Sequence, residues 1–168
     1  AVSTITFGNA PPVIDLDADD SSGVAGNDYT KSFVPGGNAV TIADLDTDIN
    51  DIDDVNMESA TIILTNILDG DAESLTVGTL PAGITASAYD PATGSITLTG
   101  SASIADYQAA IAGITYNNTS PTPNDADRVI EVKVNDGDAN SNVAVSTITF
   151  GNAPPVIDLD ADDSSGVA

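Results

Sequence analysis

Between Arg128 and Val134 the chain reads RVIEVKV, which puts Ile130, Val132 and Val134 on one side of an extended backbone and Glu131 and Lys133 on the other. A period of two is the mark of a half-buried strand. The polar run NDGDANSN (135–142) supplies turn chemistry, and NVAVSTITF (142–150) returns with Ile148 and Phe150 on a common face, so the segment predicts a β-hairpin. Shorter runs of the same kind are YTKSFV (29–34), AVTIA (39–43), SATIILTNI (59–67), SLTVG (74–78), GITASAY (83–89) and SITLTG (95–100). One short helix interrupts them. Ser103 is placed to cap it, Asp106 follows three residues later, and Ile104, Tyr107 and Ile111 share a face. Many short strands with frequent Gly and Pro, crossed by a single helix, predict an all-β fold, a two-sheet β-sandwich with one short helix.

The chain also repeats itself. AVSTITFGNAPPVIDLDADDSSGVA occupies 1–25 and recurs unchanged at 144–168, an offset of 143 residues. Identical segments at a fixed offset predict a tandem array, of which this chain holds one period and an overlap into the next. The expected division is 1–8 as the terminal strand of a preceding repeat, 9–152 as the sandwich, and 153–168 as the linker and start of a following repeat. Residues 1–7 and 144–150 have the same sequence, so either copy suits the last strand position. Gly8 to Pro12 spans at most about 18 Å, too little to run from one end of the domain to the other. The expectation is therefore that 144–150 fills the strand, while 1–7 protrudes or is donated to a neighbouring molecule.

Charge narrows the class. Twenty-six acidic residues face three basic ones, Lys31, Arg128 and Lys133. Four of the acids, Asp158, Asp160, Asp162 and Asp163, belong to the second copy of the repeated segment, which leaves 22 in one period. Such a field repels nucleic acid and anionic membrane surfaces, so neither is expected as a partner. The 41% apolar content, arranged in strand-like alternation, argues for a packed core rather than an acidic disordered tail. With no Cys there is no disulfide scaffold. No apolar run approaches the length of a membrane span.

PAGITASAYDPATGSITLTGSASIADYQAAIAGITYNNTS (81–120), followed by DRVIEVKVNDGDANSN (127–142), resembles the cadherin-like or immunoglobulin-like repeats of large secreted RTX adhesins of Gram-negative bacteria. The junction GNAPPVI is similar to the Asn-Ala-Pro linker that ends one cadherin repeat and begins the next. The resemblance implies a calcium-stiffened extender domain, copied many times between a membrane-proximal anchor and distal ligand-binding modules. It also implies a location outside the cell, on the bacterial surface, with adjacent identical repeats of the same chain as neighbours and a monomer in solution. One departure is that the glycine-rich nonapeptide of the RTX secretion region is absent. Gly36-Gly37 is followed by Asn38-Ala39 and not by a third glycine.

The aspartates carry the chemistry. They cluster as DLDADD (Asp15, Asp17, Asp19, Asp20), DLDTDINDIDD (Asp44, Asp46, Asp48, Asp51, Asp53, Asp54), DGDAE (Asp69, Asp71, Glu73) and NDGDAN (Asn135, Asp136, Asp138, Asn140). Two unit charges about 4 Å apart interact by roughly 4 kcal/mol at an effective dielectric of about 20, so fixed loops this rich in carboxylate need a cation. Calcium (Ca2+) is the natural one, because it takes six to eight oxygens in flexible geometry where magnesium demands a tight octahedron. With no His or Cys, zinc and copper sites are disfavoured. None of the clusters is an EF-hand. Counting from Asp15, Asp44 and Asp136, the sixth position holds Asp20, Ile49 and Ser141, not Gly.

Asp44 and Asp46 follow AVTIA much as a cadherin Asp-x-Asp pair follows its second strand. In a sandwich of that type, Asp44, Asp46, Asp51 and Asp53 are expected to face Asp136, Asp138 and the entering linker around Asn9. At the opposite pole Asp69, Asp71 and Glu73 are expected beside the exit linker that begins at Asn152. The expected ligand set also includes Asp15, Asp17, Asn140, Asp158 and Asp160. Three readings compete. The first is the extender. The second is a calcium-dependent sugar- or peptide-binding module, which needs an exposed aromatic such as Tyr29 or Tyr89 beside the ion. The third is an enzyme, for which a carboxylate pair is the one available device, with no His, no Cys and no nucleophile arrangement in support.

Overall fold

A computed structural model describes residues 2–5 and 8–152. The strands are β1 (Val13–Asp15), β2 (Tyr29–Phe33), β3 (Val40–Thr41), β4 (Asp48–Asn50), β5 (Asn56–Leu64), β6 (Glu73–Thr76), β7 (Thr85–Ala86), β8 (Ser95–Ser103), β9 (Thr115–Asn118), β10 (Arg128–Asn135) and β11 (Ala144–Phe150), with one α-helix, α1 (Ile104–Ala112). They form a six-stranded sheet in the order β2-β11-β10-β5-β8-β7, a three-stranded sheet β3-β9-β6, and a ribbon of β1 and β4. The two larger sheets face each other across one core. Phe33 of β2 meets Tyr116 of β9 edge-on at 5.5 Å, and the Tyr29 hydroxyl lies 3.2 Å from that of Thr41 on β3.

The alternation read from β10 sets the centre of this core. Ile130, Val132 and Val134 are buried, and Leu64, Ile62 and Ala60 stand opposite them in the antiparallel register of β5. On its other side β10 pairs with β11, from Arg128 against Ile148 to Val132 against Ala144. The second copy of the repeated segment thus fills the strand position, and β11 also runs parallel to β2, from Ser146 against Tyr29 to Phe150 against Phe33. Residues 2–5 lie outside every strand, with Val2 97% and Ile5 78% exposed.

Three strands escape the sequence reading, because each is short and two are set in aspartate runs: β1, β4 and β9. The expected strand at 83–89 shrinks to Thr85–Ala86. Its neighbour approaches too closely for an ordinary ladder. A Cβ on Gly100, which sits at φ +130°, would lie 2.0 Å from the Gly83 carbonyl oxygen.

The helix begins where the capping box places it. Ser103 Oγ accepts from the Asp106 N–H at 3.2 Å and donates to the Asp106 carboxylate at 2.7 Å. Its buried face is Tyr107, Ala110 and Ile111, with Ile104 only half-buried. The Tyr107 hydroxyl donates to the Gly100 carbonyl at 2.7 Å, which ties the helix to β8 where its register with β5 shifts.

Ser103→Ala is expected to cost about 1 kcal/mol through loss of the cap. Gly100→Ala should cost more, since the new methyl meets backbone that cannot swing away and the left-handed φ strains any side chain. Urea unfolding of the two variants checks the order, and a Gly100→Ala chain as stable as the parent would contradict the close approach.

Candidate metal centre

The β10–β11 hairpin loop and the entering chain share one end of the sandwich, the entrance pole. There the Asn9 side-chain amide donates to Asp136 Oδ2 at 3.0 Å, and the Ala10 N–H donates to the Asp53 carboxylate at 3.1 and 3.3 Å. The loop that follows β4 then turns back on itself, with the Asp53 and Asp54 N–H groups donating to Asp51 Oδ1 at 3.1 and 3.0 Å. Opposite it, Asp136 Oδ1 accepts from the Asp138 and Ala139 N–H groups at 2.7 and 2.6 Å and closes the hairpin turn. These two turns bring carboxylate oxygens of Asp51, Asp54 and Asp136 within 4.8 Å of one another.

Asp51 Oδ2 is closed to solvent and has no donor among the described residues. A buried carboxylate oxygen without a donor is costly, and a hard cation is the partner its chemistry fits. Asp54 titrates above the ordinary aspartate value, first because its charge is partly stripped of water, then because Asp51, Asp53, Asp136 and Asp138 repel it. Asp136 titrates below it. Burial opposes its charge, but hydrogen bonds from Asn9, Ala139 and Asp138 more than compensate.

A second group lies between β1 and β4. Carboxylate oxygens of Asp17, Asp19 and Asp46 fall within 4.8 Å of one another. Asp17 is fully buried and held by the Ser21 N–H (3.1 Å), the Ser21 hydroxyl (3.0 Å) and the Ser22 N–H (2.7 Å). Burial disfavours its charge, yet these bonds keep it below the ordinary aspartate value. Asp46 accepts from the Asp19 N–H at 3.0 Å. It titrates high, through loss of water first and then repulsion from Asp19, Asp44 and Asp17.

The single acidic pole expected from the loops is thus divided. Asp46 joins Asp17 and Asp19, whereas Asp51 joins Asp54 and Asp136. Asp19 and Asp54 enter where Asp15 and Asp53 were expected. Asp15 is used in a local turn, accepting from the Asp17 N–H at 3.0 Å; Asp53 holds the linker. Asp44 accepts from the Leu45 N–H at 2.5 Å and reaches only the Ser21 hydroxyl, at 3.4 Å. Asp138 is exposed, and Asn140 accepts from the Asn135 amide at 3.0 Å. Asp158 and Asp160 lie outside the described residues.

The opposite, exit pole is organised around a cation of the protein itself. Arg128 is fully buried, and its Nε donates to Glu73 Oε1 at 2.5 Å while an Nη donates to Asp69 Oδ2 at 2.7 Å. Glu73 also accepts from the Tyr116 hydroxyl and from the Leu68 and Asp69 N–H groups. The guanidinium carbon sits 4.5 Å from the centre of the Phe150 ring. Burial raises the Asp69 carboxyl, but the Asn124 N–H, the Asn118 amide and Arg128 hold it below the ordinary value. Asp69 and Glu73 are therefore answered by Arg128, and Asp71 lies exposed in the 3-10 turn Gly70–Ala72. Asn152 is exposed at the same pole. Of the two tyrosines that the binding-module reading names, Tyr29 is buried in the core and Tyr89 is half-buried.

Arg128→Met should destabilise the domain by about 3–5 kcal/mol, since it strands the Glu73 charge in the core. Adding Glu73→Gln, which still accepts from Tyr116 and the loop amides, should recover much of that loss in urea unfolding. A double variant no more stable than the single one would contradict the assignment. In chelator the pH dependence has two limbs. Asp46 and Asp54 are raised in the fold, so their protonation as pH falls through their folded values relieves repulsion and adds stability. Asp17, Asp69 and Asp136 are lowered, so the stability they give is present above the ordinary value of 3.8 and disappears as pH falls through their folded values. A carboxyl titration followed by NMR that puts Asp46 or Asp54 at or below the ordinary value of 3.8 would contradict the raised pair.

Set against known protein families, curated proteins and solved structures, the chain matches none.

Proposed function

We propose that this domain is a calcium-stiffened extender, a spacer repeat of a bacterial surface adhesin that holds distal ligand-binding modules away from the cell. The observation that carries the reading is the entrance pole. The chain enters through Asn9 and Ala10, and both are bound to loops that also supply the crowded carboxylates of Asp51, Asp54 and Asp136. A cation seated there neutralises the loops and at the same time fixes the linker to the body of the domain. The unchanged recurrence of residues 1–25 at 144–168 supports a structure that works by repetition. Pro11 and Pro12 restrict what remains of the linker to extended backbone.

Asp51 supplies the oxygen without a donor, and Asp54 and Asp136 supply its neighbours. The second group, Asp17, Asp19 and Asp46, is a further place for an ion, at the other end of the β1–β4 ribbon from Asp51. Sites of this extracellular kind bind calcium at about 10⁻⁴ to 10⁻³ M, so they fill outside the cell and empty in cytosol. Secretion then delivers a looser chain that stiffens on exit.

Calcium should raise the melting temperature of the 168-residue chain, with a contribution of about 2.7 kcal/mol per site at a hundredfold excess over the dissociation constant. Sodium at equal ionic strength should not substitute, which separates ligation from screening. Chelation should expose residues 9–20 to protease, and Asp51→Asn should remove the part of the calcium response due to its own site while leaving the turn at Asp53 and Asp54 in place. An unchanged melting temperature and cleavage pattern between excess chelator and millimolar calcium would overturn the reading.

A further inference from the structure

At the exit pole the chain is held to the domain as far as Gly151, whose N–H donates to the Phe33 carbonyl at 2.8 Å. That backbone is tightly seated, since a Cβ on Gly151 would lie 2.9 Å from Ser32 Oγ and 3.3 Å from a Val34 methyl. Asn152 follows immediately, and it is the same residue, in the same repeated segment, as Asn9. Asn9 is bound to Asp136 at the entrance pole, and the next residue, Ala10, is bound to Asp53. Where the period continues, Gly151 belongs to one domain and Asn152 is bound by the next. No free residue lies between them. Adjacent Cα atoms are about 3.8 Å apart, so the exit pole of one repeat must abut the entrance pole of the following one.

The facing surfaces suit such a contact. The exit pole has a groove of about 320 Å³ lined by Pro35, Pro123, Asp125, Phe150, Gly151 and Asn152. At the entrance pole the loop beside Ala10 presents Ile52, 89% exposed, and Val55, 77% exposed. Isolated apolar side chains on a surface are ordinary. Here, however, Ile52 adjoins Asp53, whose carboxylate holds the residue directly after Asn9, so the loop lies one residue from the rim of the preceding domain's groove.

Resting on the tandem reading above, we propose that Ile52 of each repeat docks in the exit groove of the repeat before it, between Pro35, Pro123 and Phe150. The occupant of the groove is thus the next copy of the same domain. The contact fixes the rotation of one domain about the other, which a bound ion at the linker alone does not specify. It also brings Asp125 on the groove rim toward Asp51, Asp53 and Asp54 of the next copy. That like-charge approach opposes docking until a cation offsets it, so the apolar contact sets the register and calcium permits it.

The chain prolonged by one period, with its residues 26–168 appended after Ala168, contains two complete domains and no native cysteine to interfere. Pro123→Cys in the first domain and Ile52→Cys in the second should form an intramolecular disulfide in millimolar calcium. The reaction should run at least tenfold faster than for a control that pairs Pro123→Cys with Glu131→Cys, an exposed position on the side of the sandwich. Ile52→Ser should leave the melting temperature of the 168-residue chain unchanged but broaden the interdomain distance distribution of the longer chain, read by fluorescence energy transfer. Equal disulfide rates for the two pairs, or an unbroadened distribution, would overturn the docking. The outcomes separate the two proposals: a calcium-dependent melting temperature with no preferred disulfide sinks the docking alone, whereas a calcium-independent one sinks the extender reading.

Discussion

Arg128 is the one cation in the core of a strongly acidic domain, and the exit half of the fold is arranged to receive it. It enters at the first residue of β10, in phase with Ile130, Val132 and Val134, so its side chain is forced inward by the same alternation that builds the core. Glu73 at the head of β6 meets it from the opposite sheet, and Asp69 meets it from the preceding loop. Tyr116 on β9 bonds the same glutamate. Three strands and a loop are thus fixed to one another by a single guanidinium. Burying an ion pair is not favourable in itself, but once the charges are inside, each partner leaves the others few alternative places. Specification of one packing between the sheets is the gain.

The entrance pole solves the same problem differently. There, too, carboxylates converge, but among the described residues no arginine or lysine answers them. Backbone N–H groups and serine hydroxyls satisfy part of Asp17, Asp51 and Asp136, and the repulsion that remains is expressed in the raised titration of Asp46 and Asp54. One pole therefore carries its counter-charge permanently, while the other is left dependent on what the solvent supplies. The two ends of the domain thus differ in how their carboxylates are answered, by Arg128 at the exit pole and by backbone N–H groups and hydroxyls at the other.

The β10–β11 hairpin, the helix and its cap were legible from alternation and capping chemistry, because those signals are local and the side chains follow them. β1 and β4 were not, since three-residue strands between aspartates carry too little pattern, and their pairing is decided by Ile14, Leu16 and Ile49 reaching the core. The acidic loops were legible as clusters, but not the division between them. That depends on which face of a turn each carboxylate occupies, so Asp19 and Asp54 displaced Asp15 and Asp53 by one step of local geometry. The role of Arg128 was missed although its signal was present. Reading the RVIEVKV alternation back by two residues from Ile130 places the arginine on the inward face, where it needs partners of opposite sign.

The parallel register of β2 and β11 has a mechanical meaning. β11 leaves the domain at the exit pole, and it lies between β10 and β2, paired with the first over Ala144–Ile148 and with the second over Ser146–Phe150. A pull on the outgoing chain is directed along that strand, so the pairs from Ser146 and Tyr29 to Phe150 and Phe33 are loaded in shear and share the force, rather than opening one after another as in a peeled hairpin. At the end of that strand Phe150 packs against Phe33 and under the Arg128 guanidinium, contacts that extraction of the strand would have to break.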